Sequence, residues 1–163
     1  MSAGSSQLVV VGVADMAVSV QPSATLVTYA LGSCIGVLAH DRIAGVGGLL
    51  HYMLPNSNVN LEKAAQTPAM FGDTGLTLFL HELFQRGAAR KSLIIKLAGG
   101  AEINGADSFE IGKRNLLLAK RLLWKNGMAP AAEAVGGNVG RTVRLAVGTG
   151  QMLLKDPSGE REF

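Results

Sequence analysis

At 163 residues, with 48% hydrophobic and 17% charged side chains, the chain is sized for one domain with a substantial core and is too apolar to stay disordered. A formal charge of +3 with only 5% aromatic residues argues against the basic-aromatic interleaving that stacks single-stranded nucleic acid, and it suits an acidic protein partner. One cysteine permits no internal disulfide and fits a reducing compartment; with no secretory leader and no apolar run near the ~20 residues of a membrane helix, the expectation is a cytoplasmic protein, not membrane-inserted.

A polar tail, residues 1–6, opens the chain. Gln7 to Val13 and Met16 to Val20 read as strands, with Gly12 and Asp15 near a turn, and Thr25 to Tyr29 reads as a third. Two apolar runs, Cys34 to His40 and Val46 to Leu54, flank Asp41-Arg42-Ile43-Ala44-Gly45 and suggest a hairpin. Pro55 to Gln66 is asparagine-rich and without periodicity, so a mobile exposed loop is expected. Leu76, Phe79, Leu80, Leu83 and Phe84 mark one face of a helix that Gly87 ends. Ser92 to Leu97 is a buried-type strand closed by Gly99-Gly100.

A second helix is predicted from about Glu110 to Asn126, stopped by Gly127. Its apolar positions are Ile111, Leu118, Leu122 and Leu116, Ala119, Leu123. Lys113, Lys120, Arg114 and Arg121 recur at seven-residue spacing as a basic flank, either a solvated face or a docking surface. Thr142 to Val147 and Gln151 to Lys155 close the chain as strands. Strands outnumbering helices by about four to one imply a single α+β domain over 1–163, an α/β sandwich of mostly antiparallel sheets packed together with two helices on an outer face.

Cys34 is the main chemical question. A lone cysteine is commonly a buried, inert residue, but Gly32-Ser33 before it implies a tight turn that can expose a thiol. If Arg42-Ile43 formed a two-residue hairpin loop, Cys34 would lie opposite His51 with Cβ atoms about 4.5–5.5 Å apart. A one-residue slip would send His51 to the other face; a two-residue slip would keep it on the same face, diagonally placed. His40 shares the alternation but lies ~20 Å along the strand. His81 sits in His81-Glu82-Leu83-Phe84-Gln85, which is not H-E-x-x-H, so no metal site is assigned. Gly136-Gly137-Asn138-Val139-Gly140 lacks the phosphate-loop pattern and reads as turns or close backbone contacts. A thiol and an imidazole in reach of each other can perform nucleophilic acyl chemistry, with a third group orienting the ring. Thr28 could be that group, although its spacing alone reads as an ordinary strand threonine.

Thr28-Tyr29-Ala30-Leu31-Gly32-Ser33-Cys34 and Gly47-Gly48-Leu49-Leu50-His51-Tyr52-Met53-Leu54-Pro55 resemble the signature of the CheD family of chemoreceptor glutamine deamidases. Lys96 to Ala101, Ile111 to Asn115 and Val135 to Arg141 continue the resemblance in family order. The resemblance implies Cys34 as nucleophile, His51 as base and Thr28 as third member, on a fold similar to toxin-type cysteine deamidases, with no cofactor or metal. It implies methyl-accepting chemotaxis receptors as substrates and a CheC-type phosphatase as a further partner; a non-catalytic module binding the same two partners is the alternative. Ala134 and Glu102-Ile103 depart from the family pattern, and neither touches the three residues named.

Overall fold

The computed structural model describes residues 6–103 and 110–163, so of the expected polar tail, 1–6, all but Ser6 lies outside the described residues. In chain order the elements are β1 (Gln7–Val10), β2 (Asp15–Ser19), β3 (Ala24–Leu31), β4 (Ile35–Asp41), β5 (Val46–Tyr52), α1 (Leu61–Gln66), α2 (Gly72–Gln85), β6 (Leu93–Gly99), α3 (Ile111–Lys125), β7 (Ala132–Val135), β8 (Arg141–Ala146), β9 (Met152–Asp156) and β10 (Gly159–Glu162). They form two five-stranded sheets, ordered β1-β3-β8-β9-β10 and β2-β5-β4-β6-β7. Only the β1–β3 and β6–β7 pairs are parallel. This is the α+β arrangement expected, with α2 and α3 covering one sheet and the other sheet packed on its opposite face.

The core therefore has two layers, and β4 and β5 serve both. Every residue of these two strands is buried, because alternate side chains enter different layers. Leu38 and Leu49 point between the sheets, where they meet Leu26, Val143 and Leu145. Val37 and Leu50 point the other way, toward Phe79 and Leu83 of α2 and Leu123 of α3. Gly48 is required for that contact: a Cβ there would stand 2.7 Å from the Phe79 ring.

Three expectations are corrected. The β4–β5 hairpin pairs Asp41 with Val46 and Gly36 with His51, so its loop has four residues, 42–45. The Asp41 carboxylate sets that length by accepting from the Ile43 and Ala44 amides, both at 2.9 Å, and Gly45 closes the turn at φ 69°. The segment expected to be a mobile loop is structured: Ser57–Val59 forms a 3₁₀ turn, Asn60 caps α1 through the Lys63 amide, and Asp73 of α2 accepts from the Ser57 amide and hydroxyl. The buried line of α3 runs through Gly112, Asn115, Ala119 and Leu123, so a polar residue lies in the middle of its apolar face.

Candidate active site

The turn that carries Cys34 begins with an irregularity in β3. Its register against β8 shifts between Thr28 and Leu31, with Ala30 held at φ 57°, a conformation unfavourable to a residue bearing a Cβ. The chain then passes through Gly32, Ser33 and Cys34 before β4. All three carbonyls of this turn are tied down: Gly32 O accepts from the Ala101 amide, Ser33 O from Asn115 Nδ2 and Cys34 O from the Gly100 amide, each at 2.9 Å. Gly99, at φ 106°, admits no other residue, since a Cβ would lie 2.1 Å from Cys34 O. The glycine clusters are thus close backbone contacts, as expected: Arg141 donates to both Gly99 O and Gly136 O, and the Glu102 amide donates to Gly137 O.

Cys34 is half-buried at the edge of the layer between the sheets. Burial pushes its thiol pKa up, and its own amide N–H works in the opposite direction, the burial effect being larger. The resting group is a neutral thiol. No backbone–backbone hydrogen bond among the described residues uses the Ser33 or Cys34 amide N–H.

His51 lies on β5 directly across from Gly36, so Cys34, two residues before Gly36, is its diagonal neighbour on the same face. This is the two-residue slip, not the direct pairing. The ring is fully buried, and its Nδ1 is 2.7 Å from Thr28 Oγ1 of β3. The Thr28 hydroxyl donates its one proton to Val11 O at 2.7 Å. It can only accept from the ring, so His51 carries its proton on Nδ1 and presents a bare lone pair at Nε2. Nε2 is buried and has no hydrogen-bond partner among the described residues. An unpaired buried acceptor costs about 1–3 kcal/mol and is retained where chemistry needs it.

Burial lowers the His51 pKa from 6.5 to about 4, so the ring is neutral at physiological pH. Between these two values the unfolded chain binds a proton that the folded chain refuses. The contribution of His51 to stability is therefore complete above about pH 6.5 and is lost as pH falls toward about 4. Thermal unfolding followed by circular dichroism at pH 7 and pH 5 is expected to show a larger drop for wild type than for His51→Gln.

Asn115 was not singled out from sequence beyond its place in a motif. It is fully buried on α3, and its Nδ2 donates to Ser33 O at 2.9 Å and to Met53 O at 2.8 Å. One side chain thus joins the residue before Cys34 to the strand end that follows His51. Tyr52 OH donates to Asn115 O at 2.5 Å, securing the helix to the same strand. A polar residue at the centre of a predicted helix face was the available signal.

The remaining histidines stay apart from this site. His40 is buried near the far end of β4 and contacts Val147 O at 2.8 Å, while His81 is exposed on α2. Among the described residues, no group of three or more His, Cys, Asp or Glu side chains could hold a metal ion, and no helix is long and apolar enough to cross a membrane.

Residues 53–156 match the family model described as CheD chemotactic sensory transduction, a stretch that contains Asn115 and both glycine clusters and begins after Thr28, Cys34 and His51. Over 152 residues, 93% of this chain and 95% of the relative, the chain is 45% identical to a protein of Syntrophus aciditrophicus named "Probable chemoreceptor glutamine deamidase CheD 1". A Solibacter usitatus protein named "Probable chemoreceptor glutamine deamidase CheD" is 45% identical over 95% of this chain and 92% of its own. A Pyrococcus abyssi protein of the same name is 40% identical over 91% of each. Among solved structures, the chain is similar to protein NMB0706 of Neisseria meningitidis at TM-score 0.45 and 11% identity, covering 81% of this chain and 63% of that one.

Proposed function

The chain belongs to the CheD family, and on that premise we propose that it hydrolyses glutamine side-chain amides of chemoreceptors to glutamate and ammonia, with Cys34 as nucleophile, His51 as base and Thr28 as the group that orients His51. The observation that carries this reading is the buried Thr28–His51 hydrogen bond, which leaves an unpaired Nε2 on the same face as a half-buried thiol.

The chemistry follows from those protonation states. Thiol and imidazole are both neutral at rest, so the proton leaves Cys34 for His51 Nε2 as sulfur attacks the glutamine carboxamide carbon. The oxyanion is received by backbone amides of the Ser33-Cys34 turn. The imidazolium then protonates the departing nitrogen, and ammonia leaves a thioester. His51, neutral again, takes a proton from water; the hydroxide attacks the thioester and expels the thiolate, which recovers its proton. Thr28 Oγ1 accepts from Nδ1–H throughout. A hydroxyl stabilises imidazolium less than a carboxylate would. Each turnover places a new negative charge on a receptor helix, a local electrostatic change in a signalling element. The test is incubation with a receptor cytoplasmic fragment, following ammonia release and the conversion of glutamine to glutamate by mass spectrometry.

The family resemblance adds a CheC-type phosphatase as a proposed partner and the cytoplasm as the place of action.

Asn115 acts here as a positioning residue. Asn115→Asp keeps the side-chain shape but removes the donors to Ser33 O and Met53 O. It is expected to lower kcat about tenfold or more with little change in KM, while the far-ultraviolet circular dichroism stays that of wild type. The pH profile of Cys34 alkylation by iodoacetamide should shift as well, which a merely structural role would not cause.

A further inference from the structure

We propose that the outer face of α3 is a docking surface for an acidic amphipathic helix of a partner protein. The proposal does not require the deamidase reading. The inner line of α3 is Gly112, Asn115, Ala119 and Leu123; the opposite face carries Leu117, 47% exposed, and Trp124, 79% exposed. These two lie seven residues apart, ~10 Å along one side of the helix. Cations flank them on both sides at the i−3 and i−4 positions, namely Arg114 and Arg121 on one, Lys113 and Lys120 on the other. Lys113 is engaged by Glu110 and Lys120 by Glu133, both at 3.2 Å. Arg114, Arg121 and Lys125 have no ion pair among the described residues.

These three cations line one groove of about 410 Å³, whose far side is the Pro55–Asn56 segment. Its one acid among the described residues is Asp73, and that carboxylate is already used by Ser57 and by the Thr74 amide. A second hollow, mostly apolar, adjoins Trp124. An exposed tryptophan beside an apolar hollow, rimmed by cations, has the composition of a binding hot spot. The seven-residue repeat specifies the occupant: a helix with apolar residues on one seam and acidic residues flanking it at the same period. Two projecting apolar side chains are too few to seat a helix in a bilayer, and the repeat matches helix geometry rather than phosphate spacing.

Trp124 is the only tryptophan, so it reports its own environment. The full chain is titrated with a synthetic helical peptide carrying leucine at the seam positions and glutamate at the flanking positions of each heptad. A saturable blue shift of Trp124 fluorescence is expected, weakened by salt. Arg121→Glu should weaken binding of the fluorescently labelled peptide about tenfold by anisotropy, and Trp124→Ala should abolish it, both variants keeping the wild-type circular dichroism. Cys34→Ala should bind as wild type, so failure here and failure of the catalytic reading are separable. No peptide binding, equal binding by Arg121→Glu, or stronger binding to phosphatidylglycerol vesicles or to an oligothymidine strand than to the peptide would overturn the proposal.

Discussion

Cys34→Ala is expected to remove deamidation of a receptor fragment by at least about 10⁴-fold while leaving the protein folded. In the proposed mechanism the thiol forms the covalent bond; the neighbouring Ser33 hydroxyl is a far weaker nucleophile, and no second cysteine can replace Cys34. The structural cost is small, since the residue is half-buried and the turn is held by its carbonyls and not by the sulfur. Loss of a few apolar atoms there costs about 1 kcal/mol or less. Cys34→Ser should be nearly as inactive. A hydroxyl holds its proton far more tightly than a thiol, and an imidazole titrating near 4 is too weak a base to remove it. Initial rates of ammonia release, normalised to correctly folded protein, give the comparison. Unchanged activity in Cys34→Ala would assign the chemistry to another group.

The second large effect is expected at His51. His51→Gln should lower kcat about 10²–10⁴-fold, the range for losing a positioned base. Glutamine can still reach Thr28, so the link between the two sheets need not be lost. The loss at His51 should exceed that in Thr28→Val, because in the proposed mechanism threonine only orients the ring, whereas the ring carries the proton. In Thr28→Val, Val11 O also loses its donor, and Nδ1 is left without an acceptor. Steady-state kinetics of the two variants on one receptor fragment orders the roles; equal losses would mean that Thr28 does more than orient.

Much of this arrangement was legible in the residues. The apolar runs of β4 and β5, the helical face of α2 and the stop signals at Gly87 and Gly127 follow from local pattern, and both glycines have positive φ. The Cys34–His51 relation was legible as a face but not as a register. The loop length depends on Asp41, whose carboxylate organises the turn and also accepts from the Ala89 amide and the Ser92 hydroxyl, contacts made far along the chain. The short strands β7 and β10 have no buried apolar residue and gave no periodic signal. The helical turn at 61–66 was hidden because its order comes from the Asn60 cap and the nearby Asp73 contact, not from an apolar stripe. Asn115 was overlooked for the opposite reason: it occupies a core position and shows only as a polar gap in the apolar line of α3. The Val11 carbonyl, which sets the orientation of the Thr28 hydroxyl, is a backbone group and leaves no mark on the sequence.

His51 is expected to wait as a neutral ring with its proton on Nδ1 and its lone pair at Nε2. Nitrogen-15 NMR of the labelled histidine side chains measures this directly, with His51→Gln used for assignment. One bare nitrogen, Nε2, and one protonated nitrogen, Nδ1, are expected from pH 7 down to about 5, with the pattern disturbed in Thr28→Val. A proton on Nε2, or an imidazolium at pH 7, would contradict it.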